Sequence, residues 1–201
     1  MLSKDIKIRS YGPTTLEILQ QYLETLTRRT IEAHPKRAAV LIPLCCVQSQ
    51  PSILFTRRSD HVSTHKGQVS FPGGMVDDDD SSPVTTALRE WEEELGVSAD
   101  FVEVLGMFHD VLSITGVAVT PIVGYLGDLE QLPPWAPNAH EIDSVFTLTL
   151  NELSDPALRS TQNLPHRGQI PVFSGGPAPV WGLTAYILDE FLRAVHLTTP
   201  R

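Results

Sequence analysis

Apolar residues recur at helical spacing early in the chain: Leu16, Leu19, Leu23 and Leu26 share one face of a helix predicted over residues 14–31. The apolar run at 38–47 predicts a strand, and after a Gln50-Pro51-Ser52 turn a second is predicted at 53–56. The polar stretch 60–67 reads as a loop leading into a short strand at 68–71, and Pro72-Gly73-Gly74 then breaks regular structure. Boundary signals are clearest around residues 83–95. Ser82 is placed to cap a helix, Pro83 suits a first position that needs no N–H donor, and Gly96 suits the left-handed residue just past the end. Strand-like runs follow at 101–108, 117–125 and 144–150, with a proline-rich loop at 128–137, and a helix over 183–195 ends the pattern. Strands interleaved with a few helices, and no internal repeat, predict a single mixed α/β domain.

Composition narrows the function classes. At 201 residues the chain can bury one full core, and 41% hydrophobic with 19% charged residues is ordinary for a globular protein. No apolar run approaches the roughly 18–20 residues that span a bilayer, so no membrane partner is expected. A net charge of -9 argues against nucleic acid as a partner, and an anionic ligand would need a local basic cluster or metal ions. Cys45 and Cys46 are neighbours on a predicted strand, so they face opposite ways and read as buried thiols rather than a disulfide. Lys4, Lys7, Arg9, Arg28 and Arg29 near the start are offset by Asp5, Glu17 and Glu24, which weakens a transit-peptide reading. The ending Thr199-Pro200-Arg201 is no peroxisomal address. An intracellular protein, cytoplasmic or mitochondrial and not secreted, is expected.

The informative segment is the helix 83–95. On a wheel, Val84, Leu88, Trp91 and Leu95 form one apolar stripe, while Glu90, Glu93 and Glu94 project together from another side. Glu residues four apart, near a helix C-terminus, repel one another and oppose the helix dipole. A bound divalent cation removes that objection, because hard oxygen ligands are what Mg²⁺ and Mn²⁺ prefer. Taken alone, three glutamates fit a solvated face better than a metal site. A calcium loop in Asp77-Asp78-Asp79-Asp80 is disfavoured by the missing Gly and closing Glu of that motif.

Context decides between these readings. Arg89-Glu90-Trp91-Glu92-Glu93-Glu94-Leu95-Gly96-Val97 resembles the Nudix box half R-E-U-x-E-E-x-G-U at each of its seven specified positions, with U a bulky apolar residue. The double Gly and acidic loop upstream resemble the other half, with one departure. Gly74 precedes Arg89 by one residue more than the family pattern has, and the family's intervening Glu falls on Asp80 or Ser81, so which of Asp77 to Asp80 takes its role stays open. The resemblance implies a Nudix fold, a mixed β-sheet sandwiched between α-helices, with residues 1–35 a helical extension of the domain at 36–197. It implies Glu90 and Glu94 as principal ligands of Mg²⁺ or Mn²⁺, Glu93 as a further ligand or metal-water contact, and the Gly73 carbonyl completing the shell. Arg89 would hold a carboxylate of the box in place.

The segments Leu54-Phe55-Thr56-Arg57-Arg58-Ser59 and His65-Lys66-Gly67, followed by Phe71-Pro72-Gly73-Gly74, are similar to the motif preceding the box in coenzyme A diphosphatases, most of all the mitochondrial animal type. Pro171-Val172-Phe173 and Val180-Trp181-Gly182-Leu183-Thr184-Ala185 resemble that subgroup further on. The implied reaction is metal-dependent hydrolysis of coenzyme A, or an acyl derivative, to 3′,5′-ADP and 4′-phosphopantetheine. The implied substrate contacts are Arg58, Thr56, Ser59, His65, Lys66 and Gly67. Arg57 and Arg58 face opposite ways on a strand, and the motif favours Arg58. Glu141 lies where the subgroup has a Glu and is the choice for a loop base or extra ligand, ahead of His109 and His140. Another dinucleotide substrate, such as NADH or ADP-ribose, and a non-catalytic binding module remain the alternatives. A second copy of the chain is a further expected partner, since homodimers are common in the family.

Overall fold

Alternation along the central strands divides the core in two. In the computed structural model, which describes residues 11–31, 34–61, 65–164 and 168–195, β1 (Arg37–Val47) sends Ala38, Ile42 and Leu44 to one face and Ala39, Leu41 and Cys45 to the other. The first face is covered by α1 (Pro13–Thr25) through Leu16, Leu19 and Leu23, and by α4 (Gly182–Ala194) through Ile187, Leu188, Phe191 and Leu192. The second is covered by α2 (Pro83–Leu95) through Ala87, Trp91 and Leu95. The sheet is therefore sandwiched between helices in a single α/β domain, as expected. Two free thiols on opposite faces also match expectation: Cys45 is buried on the α2 side, and Cys46 packs toward the other.

The main path of this sheet runs β3-β2-β1-β7-β5, with β2 (Gln50–Arg58), β3 (Val69–Ser70), β5 (Glu103–Met107) and β7 (Ala118–Asp128). β1 and β7 are parallel; β2 is antiparallel to β1 and to β8 (Ile142–Thr149). β6 (Val111–Leu112) pairs with β7. Beyond the sheet lie a short α3 (Leu150–Ser154) and the hairpin of β9 (Arg159–Leu164) and β10 (Gly168–Phe173).

Four expectations need correction. The first helix stops at Thr25, because residues 26–31 are drawn out to a buried anion instead of continuing the turn. Asp110, whose side chain is 1% exposed, accepts from Arg28 Nη2 (2.8 Å), the Ile31 N–H (2.9 Å) and Thr120 Oγ1 (2.9 Å), with Arg37 at 3.6 Å. The first hairpin turns at Gln48-Ser49, both with positive φ, so Gln50-Pro51-Ser52 is already strand. Gly73 and Gly74 do not break the sheet but form β4 (Gly73–Met75), pairing with Val40 and Ala39 of β1. β6, α3 and the β9–β10 hairpin were not foreseen; their segments are short or polar and carry little periodicity.

Lys4, Asp5, Lys7 and Arg9, the loop residues 62–64 and the ending Thr199-Pro200-Arg201 lie outside the described residues. No described helix is long and apolar enough to cross a membrane.

Candidate functional site

The acidic helix forms with the caps its sequence specifies. Ser82 accepts from the Thr85 N–H (3.2 Å), and Gly96, at φ 66°, donates its N–H to the Glu92 carbonyl (2.9 Å). Anchoring Trp91 and Leu95 in the core fixes the rotation of the helix and grades the three carboxylates by depth. Glu94 is buried at 1% exposure, Glu90 is partly covered, and Glu93 stands in solvent.

Arg89 gathers this face. Its Nε and Nη2 meet the two oxygens of Asp80 at 3.2 and 3.0 Å, its Nη1 donates to Glu90 (3.0 Å) and Glu93 (3.1 Å), and Nη2 also reaches the Met75 carbonyl (3.0 Å). Two of the four aspartates upstream approach Arg89. Asp80 forms the two-pronged pair with Arg89, while Asp77 lies at 3.6 Å and is largely exposed. The Arg89 hydrogen bonds hold the Asp80 carboxyl down at about 2. Asp77 and Asp80 also close a turn on each other through backbone N–H groups.

β4 brings the double glycine against the carboxylates. The Gly73 N–H donates to Glu94 (3.3 Å), and a Cβ on Gly74 would lie 2.2 Å from Glu90 Oε1. From β2, Arg58 reaches Glu94 at 3.4 Å. Burial dominates the electrostatics of Glu94 and pushes its carboxyl up to about 8; Arg58 and the Gly73 N–H pull it back, and Glu90 and Glu141 add like charge. Glu90 is raised too, first by burial, with Glu93 and Glu141 adding to it against Arg89.

The donor set is hard oxygen in a partly desolvated place, which fits Mg²⁺ or Mn²⁺ rather than a softer metal. Only a residue without a side chain leaves Glu90 its room at position 74. Among the described residues no three Asp, Glu, His or Cys side chains converge into a closed cage; Glu90 faces Arg89, and Glu94 faces Arg58 and Gly73.

The other predicted residues divide. Arg58 lines a cavity of about 530 Å³ together with His65, Gly73 and Gly74, whereas Arg57 turns outward to Asp143 (2.5 Å). Glu141 arrives on the loop before β8, its carbonyl accepting the Ser59 N–H (2.7 Å), and its charge is felt by Glu90 and Glu94. His65 contacts Gln68 (2.9 Å), and Gly67, at φ 65°, turns the loop back to donate to the Arg58 carbonyl (3.1 Å). Lys66 is exposed and does not line the cavity. Thr56 and Ser59 are not on its wall either. Thr56 is fully buried and bonded to Ser70, and Ser59 is buried with its Oγ accepting the His61 N–H. His109 packs against Phe108 and accepts the Arg29 N–H, and His140 is exposed.

Sequence reasoning missed most of the cavity wall, which is apolar: Met75, Ile114, Val117, Leu183 and Ile187. Ile114 is 80% and Met75 46% exposed. An apolar residue left in a turn is a signal that could have found Ile114.

Comparison with known proteins adds a family to this geometry. The chain matches the NUDIX domain over residues 35–171. It is 38% identical over 179 residues, 87% of this chain and 84% of the relative, to "Mitochondrial coenzyme A diphosphatase NUDT8" of Mus musculus. Identity is 39% over 175 residues with the human protein of that name (85% and 72% covered), and 40% over 167 residues with the Nudix hydrolase NudL of Yersinia pestis (81% of each). Among solved structures, a MutT/nudix family protein from Enterococcus faecalis superposes with a TM-score of 0.55 at 20% identity, covering 90% of this chain and 69% of that one.

Proposed function

Belonging as it does to the Nudix family, this chain is a pyrophosphohydrolase, and we propose that its substrate is coenzyme A, cut at the diphosphate to 3′,5′-ADP and 4′-phosphopantetheine. The observation that carries the proposal is the single cavity wall shared by Arg58, Gly73 and Gly74, beside the carboxylates, and by the apolar side chains of Met75, Ile114, Val117, Leu183 and Ile187. Coenzyme A has the matching halves: a doubly charged diphosphate and a long arm with little charge. The names borne by the mammalian relatives support the same choice and extend it to a mitochondrial location.

Glu90, Glu94 and Glu93, with the Gly73 carbonyl, would hold the divalent cation. Bound there, Mg²⁺ or Mn²⁺ would neutralise phosphoryl charge and lower the pKa of water. Around it each residue has its own task. Arg89 fixes the spacing of Glu90, Glu93 and Asp80 through four hydrogen bonds, and a fifth ties it to the Met75 carbonyl. Arg58 lies between Glu94 and the cavity, where its fixed charge meets a diphosphate oxygen. Glu141 takes the proton from the attacking water at a carboxylate oxygen. The new bond joins that water oxygen to phosphorus, and the bridging P–O bond breaks, its oxygen and electron pair leaving with the other phosphate.

The test is incubation with coenzyme A and Mg²⁺ or Mn²⁺, with products resolved by chromatography. Both products should form, and should be absent with EDTA and in Glu94→Gln. Intact coenzyme A under either metal rejects the substrate and moves the search to ADP-ribose and NADH.

A further inference from the structure

The loop that carries Glu141 is built around one residue. The Asn138 N–H donates to the Glu94 carbonyl at the end of α2 (2.9 Å), and the Ala136 N–H donates to Leu95 (3.1 Å), so the loop is sewn onto helix carbonyls that lack intrahelical partners. The Asn138 carbonyl accepts from both Glu141 N (2.8 Å) and Ile142 N (2.8 Å), closing a turn over the intervening residues. The side chain completes the arrangement. Asn138 Oδ1 accepts the His140 N–H (3.1 Å), and Nδ2 donates to Glu141 Oε1 (3.1 Å). The amide orientation is fixed by this pairing, because a backbone N–H can donate only to the oxygen, which leaves the NH₂ group for the carboxylate.

Glu141 is therefore constrained from both directions. The backbone of Asn138 ties it to α2, and its own carbonyl is tied to Ser59, next to Arg58. Resting on the reading of Glu141 as the loop carboxylate of a diphosphatase, we propose that Asn138 is a positioning residue that aims the Glu141 carboxylate at the Glu90/Glu94 face.

Asn138→Asp isolates the contact. It keeps the shape, the backbone bonds and the acceptor for His140, and replaces the one donor facing Glu141 with an acceptor. Turnover of coenzyme A with Mn²⁺ is compared in the wild type, Asn138→Asp, Glu141→Gln and the double variant. We expect kcat to fall about 10-fold in Asn138→Asp with KM shifted less than about 3-fold, further in Glu141→Gln, and no further still in the double variant. Melting temperature supplies a reading independent of activity. Asn138→Asp should melt lower, and adding Glu141→Gln should restore it, because the introduced amide donates across the same gap. Multiplying kinetic effects, an unchanged kcat in Asn138→Asp, or no thermal rescue overturns the proposal. Full activity in Glu141→Gln overturns it as well, since Asn138 would then have nothing to position. If the wild type leaves coenzyme A intact, the substrate reading alone fails; the thermal cycle still decides the contact, and the kinetic cycle is run on the dinucleotide that is cleaved.

Discussion

Along the carboxylate face nearly every polar group is held from several sides, whereas the apolar wall of the neighbouring cavity is held by almost nothing polar. Arg89 alone joins Asp80, Glu90, Glu93 and the Met75 carbonyl, and Glu94 is met by Arg58 and Gly73. Ile114 and Met75, by contrast, present exposed apolar side chains to the opening. The first region fixes atoms to within the tolerance of a bond-breaking reaction; the second supplies surface that can accept different shapes. Damage to the first should appear in kcat, and damage to the second in KM.

The sharpest separation comes from Gly74→Ala. The added methyl meets the Glu90 carboxylate at about 2 Å, and a carboxylate at the end of a flexible side chain can swing aside. The fold should survive with a melting temperature near the wild type while kcat drops about 100-fold, the size of loss that a misplacement of about 1 Å can cause. Equal loss of stability and activity would mean that β4, not Glu90, had yielded.

Next in size is the pH dependence of the metal-free protein. Glu94 titrates at about 8 in the fold, mainly through burial, against an ordinary value near 4.3. The folded value is the raised one, so the contribution of Glu94 is complete below about pH 4.3 and is lost as pH rises toward 8. With EDTA present, the melting temperature should fall by roughly 5 °C between pH 5 and pH 8 relative to Glu94→Gln, and added Mn²⁺ should reverse the fall. Parallel melting curves for the two proteins would place the buried charge elsewhere.

The smallest effect belongs to the wall. Ile114→Ser should raise KM for coenzyme A by about 3-fold and leave kcat within about 2-fold, as expected for the loss of partial apolar burial. A kcat change exceeding the KM change would erase the distinction between the two regions.

The contrast also explains what the sequence alone could disclose. Helix α2, its caps at Ser82 and Gly96, and the carboxylates on one side of it all follow from spacings of a few residues, and each is present in the fold. Asp80 could not be chosen from its neighbours in a run of four aspartates, because the choice depends on a turn that puts it beside Arg89. The wall draws on Val40, Val69, Ile114 and Leu183, distant in sequence and joined only by sheet pairing and the packing of α4, so no local pattern marks it. Thr56 lies within a motif and yet is buried; strand alternation, not motif membership, decided its direction. Asn138 did carry a local sign, since Asn hydrogen-bonding to backbone two residues ahead is a common turn device, but one Asn in a proline-rich loop has many possible partners.

The match to the NUDIX domain begins at residue 35, yet the anion at position 110 draws support from Arg28 and from the Ile31 N–H. A protein trimmed to that likeness would leave this carboxylate to Thr120 and Arg37, a loss of about 3 kcal/mol for a buried charge stripped of a partner. The matched domain is thus shorter than the stretch that must come together to stand, and the pairing of β1 with β7 is braced in part by residues upstream of it.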